Sequence, residues 1–287
     1  MSTATVHAPT LRGAATAHPK VAGRARRSVH DTLVVAQRNL RVLVRKPPLI
    51  IPAIVQPIVF LLLFKYVFGG VVGVATERAG MEYIDLLVPA AIFITASFGM
   101  ATTATGMAQD LSRGVIDRFR SLPMSQPAIL AGRTLADTIK AGLAVILITG
   151  VGAALGFRPE GDVPSLVAAF LLAIGFGFAF SWVAAWIGTL IEGPEAAMAA
   201  TLLWLFPLVF ASSAFVPVDT FPSALRAFAK ANPITHFIDA IRVLTLDVPG
   251  GTATVPTEHP VALSVAWLVV LTLTFSWLAT RAFKRGR

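Results

Sequence analysis

The 287-residue chain contains no cysteine. That excludes disulfides, cysteine-ligated zinc, iron–sulfur clusters and thiol nucleophiles, and it leaves the redox state of the compartment unreadable. Charge is scarce as well: Asp, Glu, Lys and Arg make up 14% of the residues, against about 25% in soluble domains. Apolar residues reach 55%, and a water-soluble domain of this length would have too little polar surface to cover them. They come in blocks of about twenty, the length that crosses about 30 Å of hydrocarbon. An integral membrane protein follows. A phosphate-binding loop is lacking too, because it needs GxxxxGK[ST] and no Lys in this chain follows a Gly. The net charge of +9 lies between the apolar blocks rather than on a folded basic face, so it speaks for membrane orientation and against nucleic acid.

Residues 1–27 are rich in Ala, Thr, Pro and Arg and contain no acid, which reads as a disordered cytoplasmic tail. No signal peptide precedes the apolar blocks, although an Arg-rich, acid-free start can also mimic an organellar transit peptide. Residues 28–287 read as one membrane domain. From Ser28 to Lys46, Val29, Leu33, Ala36, Leu40 and Leu43 fall at helical spacing while Arg38, Arg41 and Arg45 face elsewhere. That pattern predicts an amphipathic helix on the membrane surface, stopped by Pro47 and Pro48. Packing on a soluble core is the alternative.

Hydropathy places six spans at 49–68, 84–106, 134–157, 165–191, 196–217 and 261–281. An even number puts both termini on one side. With that side cytoplasmic, 18 of the 24 Lys and Arg fall inside and five outside, with Lys65 within the first span. The excess fixes the orientation, with both termini in the cytoplasm. Pro52 and Pro57 should kink the first span. Gly152 and Gly156, like Ala196, Ala197, Ala200 and Thr201, suit close helix packing within the chain or between subunits.

Two segments outside the spans carry mechanism. In the inner loop, Leu111, Val115, Ile116, Phe119 and Leu122 share a helical face, with Asp110, Arg113, Asp117 and Arg120 off it. This is a short amphipathic helix, either resting on lipid or passing a push from a cytosolic partner to the bundle. In the outer stretch 218–246, two apolar pieces are broken at Asn232 and Pro233, and neither is long enough to cross. They form either a pair of helices dipping back into the outer leaflet or a surface cap.

The N-terminal helix, the run GVIDRFRSLPM from Gly114 to Met124, Gly132 with Arg133, and Pro194 with Glu195 belong together. So do the run FVPVD from Phe215 to Asp219 and the run NPITHFIDAIR from Asn232 to Arg242. Over about residues 28 to 285 this set resembles the membrane subunit of a type 2 ATP-binding-cassette exporter, and within it the daunorubicin-resistance permease branch. The resemblance implies an all-α membrane protein with six transmembrane helices, an N-terminal surface helix, a cytoplasmic coupling helix at 108–121 and re-entrant outer helices before the last span. It implies a permease in the plasma (inner) membrane of a bacterium. That permease would pair with a second permease subunit, a copy or a paralogue, and with two copies of a cytosolic ABC ATPase. ATP and Mg would sit on the ATPase, with no cofactor or metal on this chain and no catalytic residue of its own.

On that footing Asp117, Arg118, Phe119 and Arg120 are the candidate ATPase contacts, the ring filling a partner groove and the charges fixing its register. A dimer pairing spans two and five would enclose an apolar slot lined by Phe93, Phe98, Trp204, Phe206 and Phe210, open to membrane lipid and suited to an apolar or amphipathic cargo. Asn232 and Pro233 are the candidate outer lid.

Two other classes remain readable. An ion-coupled secondary transporter would keep charge at the midplane, yet Lys65, Asp137, Lys140, Glu192 and Glu195 all lie toward span ends. Asp137 and Lys140 read as a local pair, and Lys65 as a side chain that snorkels. A membrane enzyme would need convergent acid–base or metal-binding groups. Only His236 lies near such a cluster, with Asp239 and Arg242 on the same predicted helix, where a structural hydrogen bond is the simpler role.

Overall fold

A computed structural model describes residues 30–41, 51–70, 72–73, 81–112, 126–251 and 255–285. Among the described residues there is no strand. Helix α1 covers residues 30–41. It is followed by α2 (Ile51–Leu63), which continues into one π-helical turn at Phe64–Phe68, then α3 (Tyr83–Ser112), α4 (Gln126–Ala154) and α5 (Val163–Leu190). The chain ends with α6 (Pro194–Phe210), α7 (Ser223–Ala231), α8 (Pro233–Leu246) and α9 (Pro260–Arg285). Four stretches are long and apolar enough to cross a membrane, Tyr83–Ser112, Leu130–Ala154, Val163–Leu190 and Pro260–Phe283. Val55–Phe68 and Pro194–Phe210 are shorter apolar helices. Each falls within or close to one of the six hydropathic blocks.

Helix α3 is the hub. It packs on α2, α4, α5, α6 and α8, and 78% of its most apolar window is buried, against 6% for α9 on the periphery. Small residues make this possible, because in lipid two helices gain from close contact rather than from escaping water. A Cβ on Gly188 of α5 would stand 2.5 Å from the Ala104 carbonyl oxygen, so the two backbones touch there. Gly152 of α4 meets Val88 of α3, where a Cβ would come within 2.7 Å of a Val88 methyl. Gly152 therefore serves packing within the chain, whereas Gly156 lies past the end of α4 in the turn, at a φ of 114°. In α6, Ala197 and Thr201 are likewise buried inside the chain.

Several buried hydroxyls are satisfied locally. Ser97 donates to the Phe93 carbonyl, Ser181 to Gly177 and Thr201 to Ala197, each one turn back. Asp162 caps α5 by accepting the Ser165 amide at 3.0 Å, and the hydrogen bonds from Ser165, hydroxyl first, hold its carboxyl below the usual carboxylate range.

The end of the bundle where α1 lies is called proximal here, and the opposite end distal. Helix α1 seats Val35 and Ala36 on α4, at Gly132, where a side chain would strike the Thr32 carbonyl and Val35. The expected apolar face is thus only partly the packed one. Ala36 is buried, but Leu33 points away and is 55% exposed. The contact is to the bundle itself, which gives the surface helix a fixed protein seat.

Three details go beyond expectation. The Lys65 ammonium donates to the Leu155 carbonyl, satisfying a free acceptor at the C-terminal end of α4. The fifth apolar block ends as a helix at Phe210, three residues after Pro207, and continues as a turn through Val216 in which Ser212, Ser213 and Ala214 are buried. The Asn232 break does join two short helices, but the second of them, α8, lies deep among α3, α5 and α9. Helix α7 stays at the surface, with Leu225 and Phe228 exposed.

Candidate functional site

Most of α3 is buried, but one stripe is not. Ala91, Ile94, Phe98, Thr102 and Thr105 recur every three or four residues and are half-buried or exposed. This is a single helical face, and it carries no charge. Helix α2 flanks it on one side and α6 on the other. Together they form an outward-facing groove whose walls are the exposed faces of the two shorter helices.

The groove is lined by aromatic rings in sequence. Phe98 meets Phe206 edge-on at 5.7 Å, and Phe206 stacks near Phe210 at 6.2 Å. Phe210 leans on Phe215 at 5.3 Å, and Phe215 lies flat on Phe64 at 4.3 Å and 14°. Phe64 continues the run to Phe60 and Phe68. At the α2–α3 side, Pro57, Phe60, Phe64, Ala91, Ile94 and Phe215 border a small open crevice. Such a surface offers flat apolar area and nothing to satisfy a charge, so burial and ring stacking are what it can give a ligand.

The five residues expected to line a slot separate into two sets. Phe98, Phe206 and Phe210 lie on the groove. Phe93 does not: it is 0% exposed and packs among Phe176, Phe180 and Phe237 in the core of the chain. Trp204 is half-buried and lies on Phe180 at 6.2 Å. Sequence reasoning missed Phe60, Phe64 and Phe215. The four-residue spacing of Phe60, Phe64 and Phe68 was visible as a stripe, whereas the meeting of Phe64 with Phe215 is a tertiary contact with no local signal.

At the proximal end, Arg133 of α4 reaches Asp110 of α3 at 2.6 Å. Its guanidinium fills the space a side chain on Gly106 would take. One turn further along α4, Asp137 accepts from Thr103 at 2.5 Å and from Lys140 at 2.6 Å. The expected Asp137–Lys140 pair is there, and Asp137 also ties α4 to α3. These bonds clamp together the two helices on either side of residues 113–125. Asp117, Arg118, Phe119 and Arg120 lie in that segment, outside the described residues.

At the distal end, Asn232 is 2% exposed. Its amide donates to the Leu208 and Ala211 carbonyls at 2.7 and 2.9 Å, and its carbonyl oxygen accepts the Ile234 amide. The side chain thus caps α8 and closes the end of α6 together. Pro233 occupies the first position of α8, where its missing N–H costs nothing. These two residues form a pinned joint rather than a free-swinging lid. His236 accepts Ser264 at its carbonyl and shares Thr257 with Asp239. That is a structural hydrogen-bond role.

Residues 30–246 match the family described as ABC-2 type transporter. The chain belongs to that family. It is 35% identical over 217 residues to a daunorubicin resistance ABC transporter permease of Streptomyces coeruleorubidus, covering 76% of this chain and 75% of that one. It is 27% identical over 216 residues to a doxorubicin resistance ABC transporter permease of Mycobacterium tuberculosis, 75% of this chain and 68% of that one. Over 111 residues it is 33% identical to nodulation protein J of Sinorhizobium fredii, 39% of this chain and 40% of that one. The family and the apolar helices make this ABC-2 family chain a multi-pass membrane permease. Membership implies an ABC ATPase subunit as its partner.

Proposed function

We propose that the chain is the permease half of an ATP-driven exporter that moves an apolar or amphipathic molecule, drug-like or lipid-like, out of the cytoplasm or inner leaflet. Six helices cross the membrane, with α2 and α6 as the two short spans and α7–α8 as an outer re-entrant pair. The proximal end is cytoplasmic, in the inner membrane of a bacterium. The observation that carries this reading is the uncharged aromatic groove between α2, α3 and α6, a path with no ionisable group along it among the described residues. An ion-coupled carrier would need such a group, and this groove has none to titrate.

A second permease subunit, a copy or a paralogue, would face the groove and turn it into an enclosed slot. Two ATPase subunits would bind ATP and Mg and supply the work, with no cofactor on this chain. Loop 113–125 would take their push as a coupling helix, through Asp117, Arg118, Phe119 and Arg120. The Asp110–Arg133 and Asp137–Thr103 bonds at its root support this role, because they make α3 and α4 move as one body.

The test is reconstitution of the permease into vesicles with and without its ATPase. ATP-dependent movement of a fluorescent aromatic dye is expected only with both subunits. A central aromatic at an interface contributes about 2 kcal/mol or more, so Phe119→Ala should weaken ATPase capture by roughly thirtyfold and abolish transport. Vanadate-sensitive ATP turnover by the verified chain alone, or dye movement driven by an ion gradient without nucleotide, overturns the reading.

A further inference from the structure

The distal end holds a buried ionic cluster that the export reading does not use. Arg242 and Asp239, one turn apart on α8, are both 0% exposed and lie 3.4 Å apart. Asp239 accepts the Ser213 hydroxyl on one oxygen and the Thr257 hydroxyl on the other, both at 2.8 Å. The Thr257 proton is then spent on Asp239, so the Thr257 oxygen is left to accept from His236 Nδ1 at 3.1 Å. Arg242 does something different. One of its terminal nitrogens donates to two backbone carbonyls, Leu86 at 3.0 Å and Ser213 at 2.6 Å.

Those carbonyls belong to the helix at the base of the groove and to the end of one of its walls. Leu86 lies in the first turn of α3, and Ser213 lies in the turn that follows α6. A buried ion pair is poor value as stabilisation, since an apolar pair of the same volume does as well or better. Its distinctive property is geometry: with one terminal nitrogen held on Asp239, the rigid planar guanidinium fixes the direction of both N–H bonds on the other, which meets the two carbonyls. We propose that Arg242 is a positioning residue, held by Asp239, that sets the spacing between α3 and the turn after α6 at the distal end of the groove. Its consequence for transport rests on the groove being the export path; the spacing itself does not.

The chain has no native cysteine, so Cys introduced at exposed Glu82 and exposed Asp219 can carry spin labels without background. The distance between them is read by pulsed dipolar spectroscopy on the full chain in lipid nanodiscs. Arg242→Lys keeps the charge and the Asp239 pair but loses the fork. D239N/R242Q removes both charges together and leaves two neutral polar side chains. The labelled parent should give one narrow distance. Arg242→Lys should broaden or shift it while helix content and insertion persist, and export by the ATPase complex should fall at least tenfold. D239N/R242Q should do the same wherever it folds. An unchanged distance in Arg242→Lys overturns the positioning role, whatever export does. A changed distance with export at the parent level leaves the spacing role standing as geometry and overturns its assignment to transport, together with the groove as the path.

Discussion

Phenylalanine serves two purposes in this chain, and burial separates them. Phe93 is enclosed by three other rings and has no exposed surface. Phe210 is 54% exposed on the groove and touches Phe206 and Phe215. Truncating an enclosed aromatic leaves a cavity and costs about 3–5 kcal/mol. Phe93→Ala should therefore lower the thermal midpoint of the purified permease and its yield in the membrane. Phe210→Ala should leave the midpoint within a degree or two and reduce dye export several-fold. Thermal unfolding in detergent set beside vesicle transport checks both, and the reverse pattern would put Phe93 on the path and Phe210 in a merely lipid-facing role. Arginine shows the same division. Arg242 is sealed in the distal cluster, whereas Arg133 is partly open and depends on the absence of a side chain at Gly106.

Among the elements, α3 and α5 form the most extensive contact of the bundle. Glycines set its closest approaches, with the Phe93, Phe176 and Phe180 rings packed between them. Gly188 lies against the Ala104 carbonyl and Met107, and Gly177 lies against the Ala96 carbonyl. A Cβ has no place to go at Gly188, because the obstruction is backbone. Overpacking a tight core costs about 1–3 kcal/mol, and Gly188→Leu should exceed that by pushing two spans apart. The expected result is poor insertion or rapid proteolysis of the variant, while Gly150→Leu, which meets nothing within 4 Å, is tolerated. Equal expression of both variants would mean that α3 and α5 are not held at this distance. In α2 and α6, Pro57 and Pro207 each remove one donor from the hydrogen-bond ladder, and a π turn follows α2 and an irregular turn follows α6.

For the whole molecule, the excess of Lys and Arg on one side predicts an orientation with both termini in the cytoplasm. Epitope tags on either terminus of the chain should be reached by antibody only after the cytoplasmic side is opened. Protease added from outside should cut between Pro217 and His259, where α7 and the segment after α8 are exposed at the distal end. Cutting of the same stretch only from the cytoplasmic side would invert the topology and place the coupling loop outside, where no ATPase could reach it.

The apolar block lengths, the scarcity of charge and the missing phosphate loop were enough to establish a multi-helix membrane chain without a P-loop, because each depends on composition and local periodicity alone. The break at Asn232 and the helices on either side of it were legible for the same reason: proline and an N-cap residue act on their own neighbours. Which phenylalanines face outward was not legible. Phe93 and Phe98 lie on one helix five residues apart, and only the packing of α5 and α8 against α3 buries the first and leaves the second on the groove. The Arg133–Asp110 clamp and the Arg242 bridge to Leu86 join residues 23 and 156 positions apart. Such pairs carry no local pattern. They exist because small residues let the helices approach closely enough for one guanidinium to reach across, and that distance is a property of the folded bundle.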